Sequence, residues 1–256
     1  MEPLRRLRYG RLEVEVHRDR GALGAAAAAA VAEALRDVLR RPGPARVAFA
    51  AAPSQEEFLA ALPLQPGVAW DRVVAFHLDD YVGLPADAPQ RFVRWLGPRL
   101  WDRLPFAAVR RIDGAAPDPE AEALRYEAAL RLEPLDLACV GIGENGHLAF
   151  NDPPVADFGD QRLVRVVQLD TRCRLQQVHD GAFPDLGAVP RRAITLTIPA
   201  LLGAARVFAV VPGPAKAEAV RAALLGPVET ACPASALRGH GACRLFLDQD
   251  SAALLP

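Results

Sequence analysis

The sequence predicts a doubly wound α/β protein with a mostly parallel sheet. Two observations predict this fold class. Apolar runs alternate with helical patterns along almost the whole chain, as expected of strands joined by helical crossovers. Several runs are also nearly continuous Val, Ala, Leu and Phe, which is typical of strands covered on both faces. Because no repeat or low-complexity linker divides the chain, we expect one domain spanning residues 1–256.

The strands are predicted at short runs rich in Val, Ala, Leu, Ile and Phe. In chain order they are 12–17, 45–52, 71–78, 135–142, 163–169, 193–198, 206–211 and 243–248. Helices are predicted between them, near 22–41, 54–63, 88–103, 117–131, 171–178, 199–204, 214–225 and 233–238. The first helix is Ala-rich, and Glu33 interrupts its apolar run, so it is not expected to span a membrane. The polar, Pro-rich stretch 152–162 is predicted to be a loop.

Composition excludes several classes of function. The 256 residues carry a net charge of −1, so no basic surface indicates nucleic-acid binding. No secretory signal pattern opens the chain, and we expect a cytoplasmic protein without membrane contact. The four cysteines lack CxxC spacing, which favours buried thiols over a zinc site or a disulfide framework.

Ligands of doubly wound sheets bind beyond the carboxyl ends of the strands, so the residues after each strand are the site candidates. Ser54 follows strand 45–52 in "AAAPSQEEF". With Glu57 three residues later, Ser54 could cap the next helix in a capping box. The same geometry could present a hydroxyl and backbone N–H groups to a phosphate.

Two adjacent carboxylates, Asp79 and Asp80, end strand 71–78 in "FHLDDYVGL". Neighbouring side chains of an extended chain point in opposite directions, so one carboxylate can face the cleft while the other anchors the loop. A carboxylate at a buried strand end has a raised pKa and suits proton abstraction beside a carbonyl group. Asx-turn chemistry at the start of a loop is the alternative.

The stretch "GIGENGHLAFNDPP", residues 141–154, follows the buried-looking run "LDLACV". Its glycines, among them Gly143 and Gly146, allow a tight turn and a close approach of the main chain to a ligand. His147 can exchange a proton near neutral pH. Because carboxylate and amide groups surround it, the sequence favours a functional histidine over a structural one.

Lys216 is the only lysine in a chain with 30 basic residues. It lies just after strand 206–211, in the first turn of a predicted helix, where the helix dipole disfavours a cation. A bound anion would reverse that preference. Lys216 is therefore a candidate phosphate ligand.

These segments, in this order, resemble the glucosamine-6-phosphate deaminase/isomerase family. "HLDDYVGL" resembles the family's "M-D-E-Y-x-G-L", and "GIGENGHLAFNDP" resembles its "G-x-G-x-D/N-G-H-I-A-F-N-E-P". "AITLTIPALLGAARVFAVVPGPAKAEAV" and "CPASALRGH" are similar to two later family segments. The resemblance covers roughly residues 45–250.

The resemblance implies a Rossmann-like three-layer α/β/α fold and an aldose–ketose isomerisation coupled to loss of an amine, without a metal or an organic cofactor. In family terms Asp79 is the base that moves a proton between C2 and C1. His147 assists ring opening in a relay with Asn145 and Asp152, and backbone amides of the glycine turn receive the developing oxyanion. Ser54 and Lys216 hold the phosphate of a small phosphosugar. Asp80, Gly143 and Gly146 are further candidate substrate contacts.

The chain departs from the family pattern at four places. Asn145 stands where part of the family has a carboxylate, and Asp152 stands where Glu is usual. The Gly-Thr-Pro type of phosphate loop is replaced by "AAPS", and the family's phosphate-binding Arg falls near Gln177 in "TRCRLQQ". Gln177 is therefore a candidate substrate contact, and Arg172 or Arg174 could supply the missing charge.

Two other functions compete. The 6-phosphogluconolactonases resemble the chain in fold and in a Gly-His segment, but they follow that His with Thr-Ala-Ser-Leu-Phe, whereas Leu-Ala-Phe-Asn follows His147 here. A non-catalytic sugar-phosphate sensor is the second alternative, although no helix–turn–helix pattern precedes residue 12. The sequence leaves the oligomeric state open, a homo-oligomer included.

Overall fold

The computed structural model describes residues 2–256 of the chain. Within them, eleven strands alternate with seven α-helices. The strands are β1 (Arg5–Tyr9), β2 (Leu12–His17), β3 (Ala45–Phe49), β4 (Val73–His77), β5 (Asp79–Tyr81), β6 (Ala108–Arg110), β7 (Leu137–Val140), β8 (Val164–Gln168), β9 (Arg192–Leu196), β10 (Arg206–Val211) and β11 (Cys243–Asp248). The helices are α1 (Arg20–Val38), α2 (Glu56–Ala61), α3 (Phe92–Leu96), α4 (Pro119–Arg131), α5 (Thr171–His179), α6 (Ile198–Leu202) and α7 (Ala217–Leu225).

The main sheet has eight strands in the order β1-β2-β11-β10-β7-β3-β4-β6. All neighbouring pairs are parallel except β1 and β2, which form an antiparallel hairpin at the edge. Helical crossovers join the parallel strands, as a parallel sheet requires. The prediction of a mostly parallel α/β sheet is confirmed.

A second, antiparallel sheet of three strands, β5-β9-β8, lies beside the main one. Two of the predicted strands, 163–169 and 193–198, belong to this sheet and not to the parallel one. The chain bends after β4 at Leu78, so that β5 leaves the main sheet and pairs with β9. Asp79 therefore lies at the junction of the two sheets.

Helices cover both faces of the main sheet because successive side chains of its strands point to opposite faces. Val47 and Phe49 of β3 pack with α1, α2 and α3 in one buried cluster. Ala48 of the same strand packs with α4, α6 and α7 in another. This arrangement gives the predicted three layers.

The carboxyl ends of four parallel strands reach the same edge of the main sheet. In register, Phe49 of β3 is level with His77 of β4 and with Cys139 of β7. The loops that leave β3, β4, β7 and β10 consequently meet there. They carry Ser54, Asp79, the glycine turn and Lys216, as the sequence predicts for a ligand site.

The cysteines are buried thiols, as the sequence predicts. No helix within residues 2–256 is long and apolar enough to cross a bilayer. All four cysteines are buried free thiols.

Tyr126 of α4 fixes the end of β4 two residues before Asp79. Its fully buried hydroxyl accepts a hydrogen bond from the backbone N–H of His77 at 3.0 Å and donates to the His77 carbonyl at 2.9 Å. Tyr126→Phe is expected to destabilise the fold by about 1–3 kcal/mol, because a buried N–H then lacks its partner. Denaturant unfolding measures this loss.

Tyr9→Phe is the matched control for that change. Tyr9 is half-buried, and its hydroxyl makes no hydrogen bond to other residues between 2 and 256. We expect its removal to change stability by about 0.5 kcal/mol or less. Equal losses in the two variants would show that the Tyr126 hydroxyl does not hold the end of β4.

Candidate active site

A cavity lies at the carboxyl edge of the main sheet and gathers side chains from separate loops. Six of the predicted site residues line it: Ser54, Asp79, Gly143, His147, Gln177 and Lys216. The remainder of the lining is mainly apolar, contributed by Ala50, Ala51, Ala52, Leu78, Ile142, Ala149, Phe92 and Phe150, together with Gln176 and Gly141. The arrangement is a small apolar pocket with a few convergent polar groups, as in enzymes and small-molecule binding proteins.

Asp79 presents the one carboxylate that lines this cavity within the described part of the chain. The residue is only 6 % exposed, and no group in residues 2–256 donates a hydrogen bond to its carboxylate. Burial raises its pKa well above the ordinary value, and the charge of neighbouring Asp80 raises it further. Such a carboxylate is a stronger base than a solvated one once it is ionised.

Asp80 faces away from the cavity, so the expectation that it contacts substrate is wrong. Its fully buried carboxylate accepts hydrogen bonds from the backbone N–H groups of Tyr81 at 2.9 Å and Phe92 at 3.0 Å. It also pairs with the Arg91 guanidinium at 3.2 Å. The alternation of an extended strand explains this: Asp79 faces the cleft, and Asp80 anchors the next loop.

His147 borders the cavity, and two polar side chains lie behind its ring. Its Nδ1 lies 3.0 Å from Asp152 Oδ1 and 2.7 Å from Asn145 Oδ1. Asn145 in turn donates to Asp152 at 3.0 Å. A neutral imidazole with its proton on Nδ1 satisfies these acceptors and leaves Nε2 as a base, the usual effect of a carboxylate behind a histidine.

Asp152 is fully buried and has no contact with the cavity. Burial alone would raise its pKa, but the hydrogen bond and the charge of His147, together with the Asn145 amide, hold that pKa below the ordinary value. Its second oxygen accepts from the Asp170 backbone N–H at 3.0 Å. The carboxylate therefore stays ionised and orients the imidazole, so the structure brings the three predicted relay residues together.

His147, Asp152 and Cys173 form the one group in residues 2–256 whose ligand atoms are close enough for a shared metal ion, all within 4.8 Å. Burial, followed by the charge of Asp152, raises the pKa of the Cys173 thiol well above its ordinary range. A protonated thiol is a poor metal ligand. Since His147 Nδ1 is also hydrogen-bonded to Asp152, the geometry matches a proton relay better than a metal centre.

The glycine turn positions the imidazole by leaving space for it. A Cβ atom on Gly143 would lie 2.1 Å from Cε1 and 2.2 Å from Nε2 of the His147 ring. Gly146 has φ +84°, in the left-handed region, and a Cβ there would lie 2.8 Å from Cys232 Sγ. Neither position tolerates a side chain without movement of its neighbours.

Four backbone amides of this turn already have acceptors. The Gly143 N–H donates to the His147 carbonyl, and the Gly146 N–H donates to the Gly143 carbonyl, both at 3.0 Å. The Glu144 N–H donates to Gln176 Oε1 at 2.9 Å, and the His147 N–H to Asn145 Oδ1 at 3.1 Å. The expectation that the glycine turn receives an oxyanion is therefore wrong for these four amides.

The backbone is strained two residues after His147. Ala149 has φ +51°, the one non-glycine residue between 2 and 256 in the left-handed region. The Asn151 side-chain amide holds this tight turn by donating to the Leu148 carbonyl at 2.7 Å and the Leu196 carbonyl at 2.8 Å. Such strain is found preferentially at functional sites.

Ser54 lines the cavity and does not cap the following helix. It lies in a 3₁₀ turn, Pro53–Gln55, and α2 begins at Glu56 without a side-chain cap. Glu57, the presumed partner of a capping box, pairs instead with Arg20 at 2.7 Å. The capping alternative is wrong, and the hydroxyl remains available to a ligand.

Gln55 was not predicted from the sequence, although it orients Ser54. Its fully buried amide donates to Ser54 Oγ and to the Val210 carbonyl, both at 3.0 Å. Since Ser54 Oγ accepts one of these bonds, its own proton is free to donate into the cavity. The second bond ties the loop after β3 to the end of β10.

Lys216 lies in a 3₁₀ turn, Pro214–Lys216, immediately before α7, close to the predicted position. The residue is 7 % exposed, and no carboxylate of residues 2–256 lies within 4.0 Å of its ammonium group. Burial lowers the pKa of Lys216, and the charges of Asp180 and Glu144 act in the opposite direction. An anionic ligand in the cavity would supply the missing counter-charge.

Gln177 and Gln176 bring two amides to the cavity from α5. Gln177 Oε1 accepts a hydrogen bond from the buried Tyr81 hydroxyl at 2.6 Å. Gln176 Oε1 accepts from the Glu144 N–H, and its Nε2 donates to Asp180 at 3.2 Å. Tyr81 and Gln176 were not predicted, because nothing in the local sequence indicates these long-range partners.

Neither arginine of this helix reaches the cavity. Arg172 is exposed and is absent from the lining. Arg174 donates to the carbonyl of Val189 at 2.9 Å and so holds the following loop. The expectation that one of them replaces the family's phosphate-binding Arg is wrong.

The chain is similar in sequence to known proteins. Residues 18–245 match the family model of glucosamine-6-phosphate isomerases/6-phosphogluconolactonase. A glucosamine-6-phosphate deaminase of Bacillus cytotoxicus is 36% identical over 182 residues, 71% of this chain and 68% of the relative. That of Listeria innocua is 33% identical over 202 residues, 79% of this chain and 84% of the relative.

Solved structures show the same fold. A monomeric glucosamine-6-phosphate deaminase superposes with a TM-score of 0.86 and 28% identity, covering 94% of this chain and 99% of the other. The 6-phosphogluconolactonase of Thermotoga maritima gives a TM-score of 0.74 at 21% identity, covering 92% and 98%, and its likeness concerns the fold alone. By its sequence and its fold, the chain belongs to the family of glucosamine-6-phosphate isomerases and 6-phosphogluconolactonases.

Proposed function

We propose that the protein is an amino-sugar phosphate deaminase/isomerase that converts glucosamine-6-phosphate and water to fructose-6-phosphate and ammonia. The observation that carries the proposal is the convergence of Asp79, His147 and Lys216 on one cavity. A buried base, an oriented imidazole and an unpaired cation are the groups that this reaction needs. The deaminase relatives support the same reaction.

Ring opening comes first and uses the imidazole. His147 Nε2 accepts the proton of the C1 hydroxyl and returns it to the ring oxygen as the aldehyde forms. Asp152 stabilises the transient imidazolium through Nδ1, at 3.0 Å. Asn145 fixes the orientation of both partners.

Isomerisation and loss of the amine follow. Asp79 removes the proton from C2 and delivers it to C1 through an enolamine, which leaves an imine at C2. Water adds to that imine, and nitrogen departs as ammonia when the ketone forms. Lys216 and Ser54 hold the anionic end of the sugar so that C1 and C2 lie beside Asp79 and His147.

Ammonia release from glucosamine-6-phosphate tests the proposal directly. We expect stoichiometric ammonia and fructose-6-phosphate, with no hydrolysis of 6-phosphogluconolactone. Lactone hydrolysis without ammonia would instead identify a lactonase. Thermal stabilisation by sugar phosphates without turnover of either compound would identify a sensor.

The rise of kcat/KM with pH on the acidic side should follow the ionisation of the Asp79 carboxyl group. Asp79 acts as a base only when ionised, so kcat/KM should rise with pH through the pKa of this carboxyl group. Because burial and the charge of Asp80 raise that pKa, the rise should lie well above the ordinary value of 3.8. Initial rates of ammonia release between pH 4 and 9 give the profile.

Circular dichroism at each pH serves as the control, because it separates titration of the base from acid unfolding. If kcat/KM rose near pH 4 while the protein stayed folded, the pKa of Asp79 would not be raised. That result would rule out Asp79 as a general base with a raised pKa.

A further inference from the structure

Arg20, the first residue of α1, lies against both loops that carry the proposed phosphate ligands. Its Nη2 donates to the carbonyl of Pro53, the residue before Ser54, at 3.0 Å. Its Nη1 lies 3.6 Å from the position that a Cβ on Gly213 would occupy. The carbonyl of Gly213 in turn accepts the backbone N–H of Lys216 at 3.1 Å. One guanidinium therefore adjoins the loop after β3 and the turn after β10.

An ion pair with Glu57 fixes the direction of this guanidinium. Arg20 Nε donates to Glu57 Oε1 at 2.7 Å, and Nη2 donates to Oε2 at 3.0 Å. Because the planar fork is held at two atoms, little side-chain freedom is left to lose when a ligand binds. Nη1 donates to no acceptor of residues 2–256. Its N–H groups are therefore available on the side of Gly213.

The turn that faces Nη1 is itself held in place. Gly213 has φ +94°, in the left-handed region, and its N–H donates to both carboxylate oxygens of Asp248 at 3.0 Å. Asp248 is fully buried and also accepts from the Ser251 N–H at 2.8 Å. Since glycine has no Cβ, the space between this turn and Arg20 stays open.

The charge of a phosphate also favours a second cation. A phosphate monoester carries about −1.5 to −2 charges at pH 7 and has three acceptor oxygens. Lys216 supplies one positive charge. The hydrogen bond to Glu57 raises the pKa of Arg20 despite its partial burial. The charge of Asp180 acts on the pKa values of both Arg20 and Lys216, so the two cations lie within range of one carboxylate.

We propose that Arg20 is the second cation of the phosphate site: it holds the Ser54 loop through the Pro53 carbonyl and offers Nη1 to the phosphate beside Lys216. The inference rests on the proposed function, in which the 6-phosphate occupies that end of the sugar. Arg20 is not part of the cavity lining around Asp79. It therefore acts on binding of the phosphate and not on proton transfer between C1 and C2.

Arg20→Gln tests this role through the separation of KM from kcat. We expect KM for glucosamine-6-phosphate to rise by about tenfold or more, because a charge-assisted hydrogen bond to the phosphate is lost. The value of kcat should change by less than about twofold, since the chemistry at C1 and C2 is untouched. An unchanged KM, or a fall in kcat as large as the rise in KM, would overturn the inference.

Arg99→Gln is the matched control for loss of an ion pair. Arg99 Nε bonds to Glu56 at 2.7 Å, on the same helix and one residue before the partner of Arg20. Arg99 lies outside the cavity lining, so its replacement should leave KM unchanged. If both variants raised KM equally, weakened packing of α2 would be the cause, and the role of Arg20 as a phosphate ligand would be wrong.

Arg20→Lys separates charge from general support of the fold. Lysine keeps the positive charge but cannot form the two-atom fork with Glu57. We expect its KM to lie between those of the parent and Arg20→Gln. A KM as high as that of Arg20→Gln would show that the charge at position 20 does not bind the phosphate.

Inorganic phosphate decides the question without turnover. Calorimetric titration should give a Kd about tenfold higher for Arg20→Gln than for the parent, and an unchanged Kd for Arg99→Gln. Equal affinities of the parent and Arg20→Gln, or no binding of phosphate to the parent, would contradict the inference. If the parent released no ammonia from glucosamine-6-phosphate, the proposed function would fail, while these titrations would still establish or refute the role of Arg20.

Discussion

Asp79→Asn is expected to lower kcat by about 10²–10⁴-fold, the usual contribution of a positioned general base. The amide has nearly the same shape but cannot remove the proton from C2. Substrate binding should change little, because the proposed function assigns the other end of the sugar to Lys216 and Ser54. Two measurements check this result: ammonia release, and hydrogen exchange at C1 of fructose-6-phosphate in deuterated water that contains ammonium.

Asp80→Asn is the matched control, since it makes the same change one residue further on. Asp80 is bound to Arg91 and two backbone N–H groups outside the cavity. This substitution should lower stability, because the buried Arg91 guanidinium loses part of its charge compensation. Turnover per folded molecule should be retained. If Asp80→Asn abolished exchange and Asp79→Asn did not, the two roles would be reversed.

The fold was predictable where apolar runs are continuous. All eight predicted strands are present, because Val, Leu and Phe segments of this length are stable only when buried. Three further strands were not predicted. Arg5–Tyr9 alternates Arg with apolar residues at an exposed edge, and Ala108–Arg110 has only three residues. Asp79–Tyr81 begins with two carboxylates, a composition that disfavours strands.

The division into two sheets was not predictable from local sequence. Val164–Gln168 and Arg192–Leu196 contain the β-branched and aliphatic residues that strands of the main sheet also contain, yet they pair only with each other and with Asp79–Tyr81. Composition determines whether a segment is extended and buried. Which strands become neighbours depends on the path of the whole chain.

Site residues were predictable where they follow a strand directly. Asp79, His147 and Lys216 meet this condition, and all three line the cavity. Their supporting contacts were not predictable, because the partners are distant in sequence. Tyr81 and Gln177 are 96 residues apart, and Glu57 bonds to Arg20, 37 residues away, in place of the nearby Ser54.

Gly143→Ala is expected to lower kcat by about 10²-fold or more, because the imidazole and the new methyl group cannot occupy the same space. A Cβ at this position would lie 2.1–2.3 Å from three atoms of the His147 ring. Gly143 does not have a positive φ, so alanine itself introduces no backbone strain. The substitution should therefore displace the ring while the fold persists.

Gly141→Ala is the comparison that isolates this effect. Its Cβ would approach Gln55 Nε2 at 3.2 Å and Ser54 Oγ at 3.6 Å, but no atom of the imidazole. We expect a smaller change, mainly in KM, since the proposed function assigns Ser54 to the anionic end of the sugar. Equal losses of kcat in the two variants would show that the displaced His147 ring is not the cause.

The exchange reaction then separates ring opening from proton transfer. A fraction of fructose-6-phosphate is an open-chain ketone in solution, and added ammonia converts it to the C2 imine, on which Asp79 can act without prior ring opening by His147. Hydrogen exchange at C1 should consequently fall much less in Gly143→Ala than ammonia release from glucosamine-6-phosphate does. If exchange and deamination fell together, the imidazole would take part in proton transfer at C1 and C2, and the division of roles between His147 and Asp79 would be wrong.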